Sequence, residues 1–403
     1  GGGGSGGGSG SWAGSGGSNG GSGGNGSGAV VVGETASAGM APTSRSTSHA
    51  LGRRSAMARA VTLSPRALSV TGFAAWSEWN GRFRDAVRRF VRGDDGAVPE
   101  FATRLCGSQD MYEPSNRLPC HSINFVTAHD GFTLEDLVSY NSKHNLSNGE
   151  DNRDGDNSNH SFDCGDEGPT TQPPVLMLRE RSKRTLLACL MLAQGTPMLL
   201  AGDEMSLSRM GNNNAWCHDG PINYVPWSRL MREHRVAAFH RFVRSMIALR
   251  RVFASFFRRR SFLSRVDVEW HGTKPSQADW SAQSRVLACV FRDTRCDEHG
   301  CYDLLYIATN IGEGTASFSL PSKPPLSCGE SAELATPWRL LVDTSASYPR
   351  DIVDCDWHTP RSKLQPLREM RSTSVMRLPF RGLALFHGRS RLPGHRHEHH
   401  GGR

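Results

Sequence analysis

The sequence predicts an α/β region followed by an all-β one. The first is the C-terminal portion of a (β/α)8 TIM-type barrel and the second an antiparallel β-sandwich, with a disordered Gly/Ser-rich segment ahead of both. Three observations carry this. The apolar run Ile123–Ala128 stops at the polar pair His129-Asp130, and Gly131 follows at once. That is the pattern of a buried barrel strand delivering hydrogen-bonding side chains at its carboxyl end. A second such unit, Gly195-Thr196-Pro197-Met198-Leu199-Leu200-Ala201-Gly202-Asp203-Glu204, also ends in glycine and carboxylates. From about Arg265 onward, short strand-like runs alternate with Gly, Pro and Asp, the spacing of an antiparallel β domain.

Each element follows from its residues. Residues 1–28 are almost wholly Gly and Ser, too poor in apolar side chains to fold, and 1–70 reads as low-complexity and disordered. The Ala/Ser/Thr/Arg-rich stretch 29–70 fits part of a transit peptide or, equally, an intron-derived segment. The partial barrel spans 71–264. Within it Phe83, Val87, Phe90 and Val91 fall on one helical face, and Phe101–Leu105 reads as a weak strand. After Ile123–Ala128, Thr133 is the N-cap of a helix with Asp136 three residues on, a weakened capping box. Ser182–Gln194 forms a leucine-faced helix that Gly195 and Pro197 end, and Pro197–Ala201 is the next strand. Val236, Phe239, Val243 and Met246 recur at helical spacing, the mark of core packing. The sandwich occupies 265–388, with strands at Arg285–Arg292, Asp303–Asn310, Ala316–Leu320, Trp338–Val342 and Leu383–Phe386. A disordered tail, 389–403, carries His395, His397, His399 and His400.

Composition excludes several classes. The formal net charge is +8, but the arginines are dispersed and the tightest cluster, Arg258-Arg259-Arg260, reads as a solvated helix end. A nucleic-acid surface needs a contiguous basic face with interleaved aromatics. No run reaches the ~18 apolar residues of a membrane span. The ten cysteines are scattered without a C-x-x-C pair, which favours free thiols in a reducing compartment, cytoplasm or plastid, over a disulfide framework or zinc site. The Asn/Asp/Gly-rich loop from Asn141 to Pro174 fails the EF-hand register, so no metal or cofactor is expected. Long loops in compact domains are usually functional or disordered; an ordered loop over a groove is what the family resemblance given below implies.

Several blocks carry a family resemblance. FVTAHDGFTLEDLVSYN, KHNLSNGEDNRDGDNSNHSFDCGDEGPT, GTPMLLAGDE and GNNNAWCHDGPINYVPW, with WSEWNGRFRDAVRRFVRGDDG and FATRLCGSQDMY upstream, closely resemble isoamylase-type glycogen and starch debranching enzymes. Those are retaining glycosidases of the α-amylase superfamily. The resemblance runs from about Trp76 to Leu249 and more loosely to about Gly388.

The resemblance implies roles for named residues. Asp130 would accept hydrogen bonds from hydroxyls of the sugar at the cleavage point and His129 would donate to the same sugar. Asp203 and Glu204 would be structural. Asn213, Asn214 and Trp216 would border the sugar groove, although the family usually has tyrosine at the position of Trp216. Two carboxylates that the chemistry needs, a nucleophilic Asp and an acid/base Glu, precede WSEWN in the family, and nothing here resembles their strands. Asp85 and Glu78 mimic them in letters only. Asp85 sits inside a helical pattern, and Glu78 has no strand before it and fits the lead-in to that helix. The chain therefore reads as the C-terminal part of an α-1,6-glucan debranching glycosidase that lacks its nucleophile and acid/base residue. The alternative is an inactive homologue that binds branched α-glucan or pairs with an active subunit. Expected partners are glycogen or amylopectin and other debranching-enzyme subunits, with no nucleic acid and no membrane. The β region is expected to be structural, with Trp270, Trp280 or Trp338 stacking on a sugar as the alternative.

Overall fold

Chain order and hydrogen bonding divide the protein into a helix-rich part built on short parallel strands and an antiparallel β part. The computed structural model describes residues 76–298, 300–322, 333–372 and 374–391. The Gly/Ser-rich segment and the tail histidines lie outside them.

Three parallel strands, β1 (Glu78–Trp79), β2 (Ser122–Asn124) and β3 (Thr196–Pro197), are paired in chain order, with Glu78 opposite Ser122 and Ile123 opposite Thr196. Glu78 thus lies in a strand, which corrects the expectation of a helix lead-in. The helix begins only at the next turn. In α1 (Gly81–Arg92) the Asn80 side chain caps the first turn by accepting from Phe83 N at 2.8 Å. Gly93 ends the helix in the left-handed region with Arg89 and Arg92 in the last turn.

The expected strand at Phe101–Leu105 is instead the end of a helix, α2 (Ala97–Leu105). Val98, Phe101, Ala102 and Leu105 recur at three- and four-residue spacing, so one helical face buries all four. Phe101 stacks on Phe90 of α1 with centroids 4.0 Å apart. The expected strands at Ile123–Ala128 and Pro197–Ala201 are shorter than their apolar runs. Phe125, Val126 and Ala128 are buried, yet the ladder stops at Asn124. Thr133 caps α3 (Leu134–Leu137) as read, accepting from Asp136 N. The leucine-faced helix is α4 (Pro173–Leu192), begun by prolines in its first turn, and the second helical pattern is α5 (His234–Val252).

The β part is one seven-stranded antiparallel sheet and a two-stranded ribbon. The sheet holds β4 (Val268–His271), β5 (Val286–Cys296), β6 (Cys301–Asn310), β8 (Glu333–Leu334), β9 (Trp338–Asp343), β10 (Arg368–Met370) and β12 (Gly382–Arg391). Its order is β10-β9-β12-β6-β5-β4, with β8 also on β12, while β7 (Ala316–Ser319) pairs with β11 (Val375–Leu378). The last strand runs to Arg391, so the expected tail starting at 389 begins too early. The five strands read from the sequence all exist. β4, β8, β10 and β11, each two to four residues long, are not among the strands the sequence predicts.

Alternation along β5 explains how the parts join. Leu287, Cys289 and Phe291 enter one core with α1, α2, α4 and α5, whereas Ala288 and Val290 enter a second with Phe318, Trp338 and Phe386. Both faces are covered, so the strand reads as an unbroken apolar run. Arg381 adds a polar tie. It donates to Arg92 O at 3.3 Å and lies over the Phe162 ring at 3.9 Å, while Thr185 Oγ1 donates to Arg381 O at 2.7 Å.

Candidate active site

His129 and Asp130 emerge from the buried run after β2 with both side chains mostly exposed, His129 Nε2 standing 3.1 Å from Asp130 Oδ2. Three contacts fix the turn. Gly131, at φ +87°, donates its N–H to Asn213 O at 2.9 Å. Arg209 Nη1 donates to His129 O at 2.9 Å. Trp79 of β1 packs its ring against the His129 imidazole, centroids 5.7 Å apart. Beneath them Arg88 is buried and donates to Val126 O and Asn159 O, tying α1 to this segment; burial lowers its pKa to about 9.

Two buried carboxylates support this segment from below. Asp203 accepts from Leu134 N at 2.9 Å and from Thr127 Oγ1, and burial raises its pKa to about 7. Asp136 accepts from Ser208 Oγ at 2.5 Å and Arg209 N at 2.7 Å, and burial raises it to about 6. Both are sealed from solvent, so neither reaches a substrate. Glu204 accepts from the nearby Gly202 N. The structural reading of Asp203-Glu204 thus has a physical basis. Deeper still, Lys183 is fully buried between Glu135 at 2.6 Å and Glu180 at 2.9 Å, and Arg235 bridges the same two acids. Burial works against ionised Glu135, but Lys183 and Arg235 hold its pKa below the usual carboxylate range.

The Asn-rich loop is held by amides. Asn145 exchanges two hydrogen bonds with Asn213, Nδ2 to Oδ1 at 2.8 Å and Asn213 N to Oδ1 at 3.0 Å. Asn213 Nδ2 donates to Asp156 O and to Asn159 Oδ1. A side chain on Gly155 would place its Cβ 2.2 Å from Asn213 Oδ1. Asn213 is 1% exposed with every polar side-chain atom engaged, so its expected contact with a sugar is corrected: it anchors the loop. Asn214 is half-buried and donates to Asp154 Oδ2 at 2.8 Å, whereas Trp216 is 75% exposed. Of the five candidate residues, His129, Asp130 and Trp216 present open side chains.

Asp85 lies in α1 and pairs with Arg84 at 2.7 Å; Glu78 is held by Arg117 at 2.6 Å. Trp338 is fully buried and its Nε1 donates to Pro321 O, which removes it as a stacking platform. Trp270 and Trp280 meet edge to face, centroids 5.5 Å apart, along a groove of about 370 Å³. Among the described residues no His/Cys/Asp/Glu cluster could hold a metal ion, and no helix is long and apolar enough to cross a membrane. Sequence reasoning passed over Arg209, Trp79 and Asn145. Only the glycine–asparagine density of the two loops hinted at the last.

Residues 269–377 match the family model described as Isoamylase 1-3, C-terminal. The likeness is to the isoamylases. Isoamylase SU1, chloroplastic, of Zea mays is 42% identical over 278 residues, 69% of this chain and 33% of that protein. Isoamylase 1, chloroplastic, of Arabidopsis thaliana is 39% identical over 300 residues, 74% of this chain and 36% of the relative. A Glycogen operon protein GlgX homolog of Mycobacterium tuberculosis (strain ATCC 25618 / H37Rv) is 46% identical over 227 residues, 54% of this chain and 31% of its own length. The chain spans about a third of the length of these curated relatives. Among solved structures, pullulanase type I from Bacillus subtilis, complexed with maltose, is similar with a TM-score of 0.49 at 19% identity. That match covers 77% of this chain and 35% of that one, a likeness too distant to argue from. The resemblance read in the sequence therefore holds, and the family-model match falls on the β region where the motif resemblance was loosest.

Proposed function

We propose that this chain is the C-terminal part of an isoamylase-type glycosidase that cleaves α-1,6 branch points of glycogen, amylopectin or starch with retention. The observation that carries the reading is the exposed His129–Asp130 pair, fixed at the end of a parallel-strand segment by Gly131, Arg209 and Trp79. In this reading β1, β2 and β3 are successive strands of a (β/α)8 barrel ending near 264, and 265–388 is the sandwich behind it. Parallel pairing in chain order, with α4 in the β2–β3 connection, supports it.

The mechanism follows from charge. A retaining glycosidase passes through an oxocarbenium-like transition state between two carboxylates. Asp130, as an open anion beside the ring, gains attraction as positive charge develops, so it favours the transition state over bound substrate. His129 donates to a hydroxyl of the same sugar. Trp216 offers an apolar wall. The nucleophile and acid/base carboxylates come from outside these residues.

A second reading is a glucan-binding partner without turnover; in both readings the two acids that mimic the missing pair, held in ion pairs with arginines, take no part in catalysis. Reducing-end assays on the 403-residue chain with amylopectin test it. No turnover is expected; turnover abolished by Asp85→Asn or Glu78→Gln would overturn the assignment. In a full-length parent, Asp130→Asn should lower kcat about 10²–10³-fold with KM little changed. Trp216→Ala should chiefly raise KM. A near-normal kcat in Asp130→Asn would sink the site.

A further inference from the structure

We propose that the concavity between the short helical turn Ala254–Phe257 and the end of β5 binds a phosphate group, inorganic or carried on a sugar. The site is separate from the His129–Asp130 face and does not rest on the glucan reading. Its volume is about 430 Å³ and its walls include Arg258, Arg259, Arg260 and Arg295 with Ser255 and Ser261. In the sequence the three consecutive arginines look like a solvated helix end. The fold adds Arg295 to them from a distant strand.

Charge makes the case. Arg259 is answered by the buried Asp267 at 2.6 Å. Arg258, Arg260 and Arg295 are exposed and make no ion pair among the described residues. Three guanidinium groups lining one depression repel one another, the more so at low salt where screening is weak, and a bound anion would relieve that. The arginine fork presents parallel N–H donors that match the oxygens of a phosphate. The two walls are also tied together. Asp293 on β5 accepts from the Ser255 hydroxyl and from Arg295 N, the latter at 3.2 Å. That tie fixes the spacing of the cationic walls before any ligand arrives. A volume within the ~300–1,000 Å³ of small-ligand sites, with no aromatic residue in the lining, fits a compact anion better than a nucleic-acid strand, which stacks its bases on aromatic rings.

Isothermal titration of the 403-residue chain at constant ionic strength decides it, with inorganic phosphate, glucose 6-phosphate and glucose as titrants. Saturable phosphate binding is expected, weakened about tenfold or more in Arg295→Gln and in Arg260→Gln and unchanged in Arg232→Gln, which removes the same charge elsewhere. Tighter binding of glucose 6-phosphate than of inorganic phosphate would assign a sugar phosphate, and the reverse order a free anion. Either supports the site. Melting curves without phosphate check that each variant is folded, and the two substitutions on opposite walls are read independently. The proposal falls if phosphate does not saturate at millimolar concentration. It falls equally if Arg232→Gln weakens binding as much as Arg295→Gln.

Discussion

The face that carries His129 and Asp130 and the sheet behind it are held by different physics. The first rests on strands of two and three residues and on a mesh of amides and buried acids around Asn145, Asn213, Asp136 and Asp203. The second has strands of up to eleven residues with apolar side chains on both faces. Hydrophobic burial is roughly proportional to area and insensitive to direction. A polar mesh depends on each partner being present, because an orphaned buried group costs its full desolvation. The sheet should therefore tolerate conservative changes in shape, while the loops around the site should fail locally at single atoms.

The largest effect should come from Trp338. It is fully buried against Tyr306 and against Gly388, where an added Cβ would sit 2.8 Å from the indole. Trp338→Ala should cost about 3–5 kcal/mol in urea unfolding and leave the environment of His129 unchanged by NMR. Trp338→Phe should recover much of that. A loss under about 1 kcal/mol would mean that this core does not hold the sheet.

Next comes a pH effect at the opposite pole. The folded-state pKa of Asp203 is about 7, above its unfolded value of about 3.8. Its protonated form is favoured in the fold, so its contribution to stability is complete below about pH 4 and is lost as pH rises through about 7. Asp136, raised to about 6, acts in the same direction. Asp203→Asn can still accept from Leu134 N and can donate to Thr127 Oγ1, without charge. The variant should lose much of the fall in melting temperature between pH 5 and 8, a difference on the order of 2 kcal/mol at pH 8. An unchanged slope would remove Asp203 as its source.

The same contrast governs what could be read from the sequence. The apolar strands of the sheet announced themselves: RVLACVFR and DLLYIATN are β5 and β6 within a few residues. The end of the apolar run at His129-Asp130 also marks where burial gives way to exposure. Other features left weaker traces. Phe101–Leu105 alone reads as a strand because five residues are too few to reveal a helical period; the turn Ala97 to Glu100 completes that period. Glu78 looked like part of a helix because a two-residue strand has no pattern of its own; parallel pairing with Ser122 defines it. The family resemblance sets Asn213 at the sugar groove, whereas the fold buries it. Its burial depends on Asn145, 68 residues away, and no local rule connects the two.

The smallest effect, and the sharpest test of the polar mesh, is Asn145→Ala. The Asn145 side chain donates to Asn213 Oδ1 and Asp154 O and accepts from Asn213 N. Alanine leaves Asn213 N and Oδ1 short of a partner at a site closed to solvent, which should cost about 1–2 kcal/mol. That cost should appear locally. Amide exchange at Asn213 and Asn214, and at Gly131, whose N–H is held by Asn213 O, should accelerate, while exchange along β5 and β6 should not change. Because Gly131 fixes the turn after Asp130, loosening it should also broaden the His129 ring signals without unfolding the chain. Equal acceleration in the sheet and the loop would show that the two regions unfold as one unit, and the division between polar and apolar order would fail.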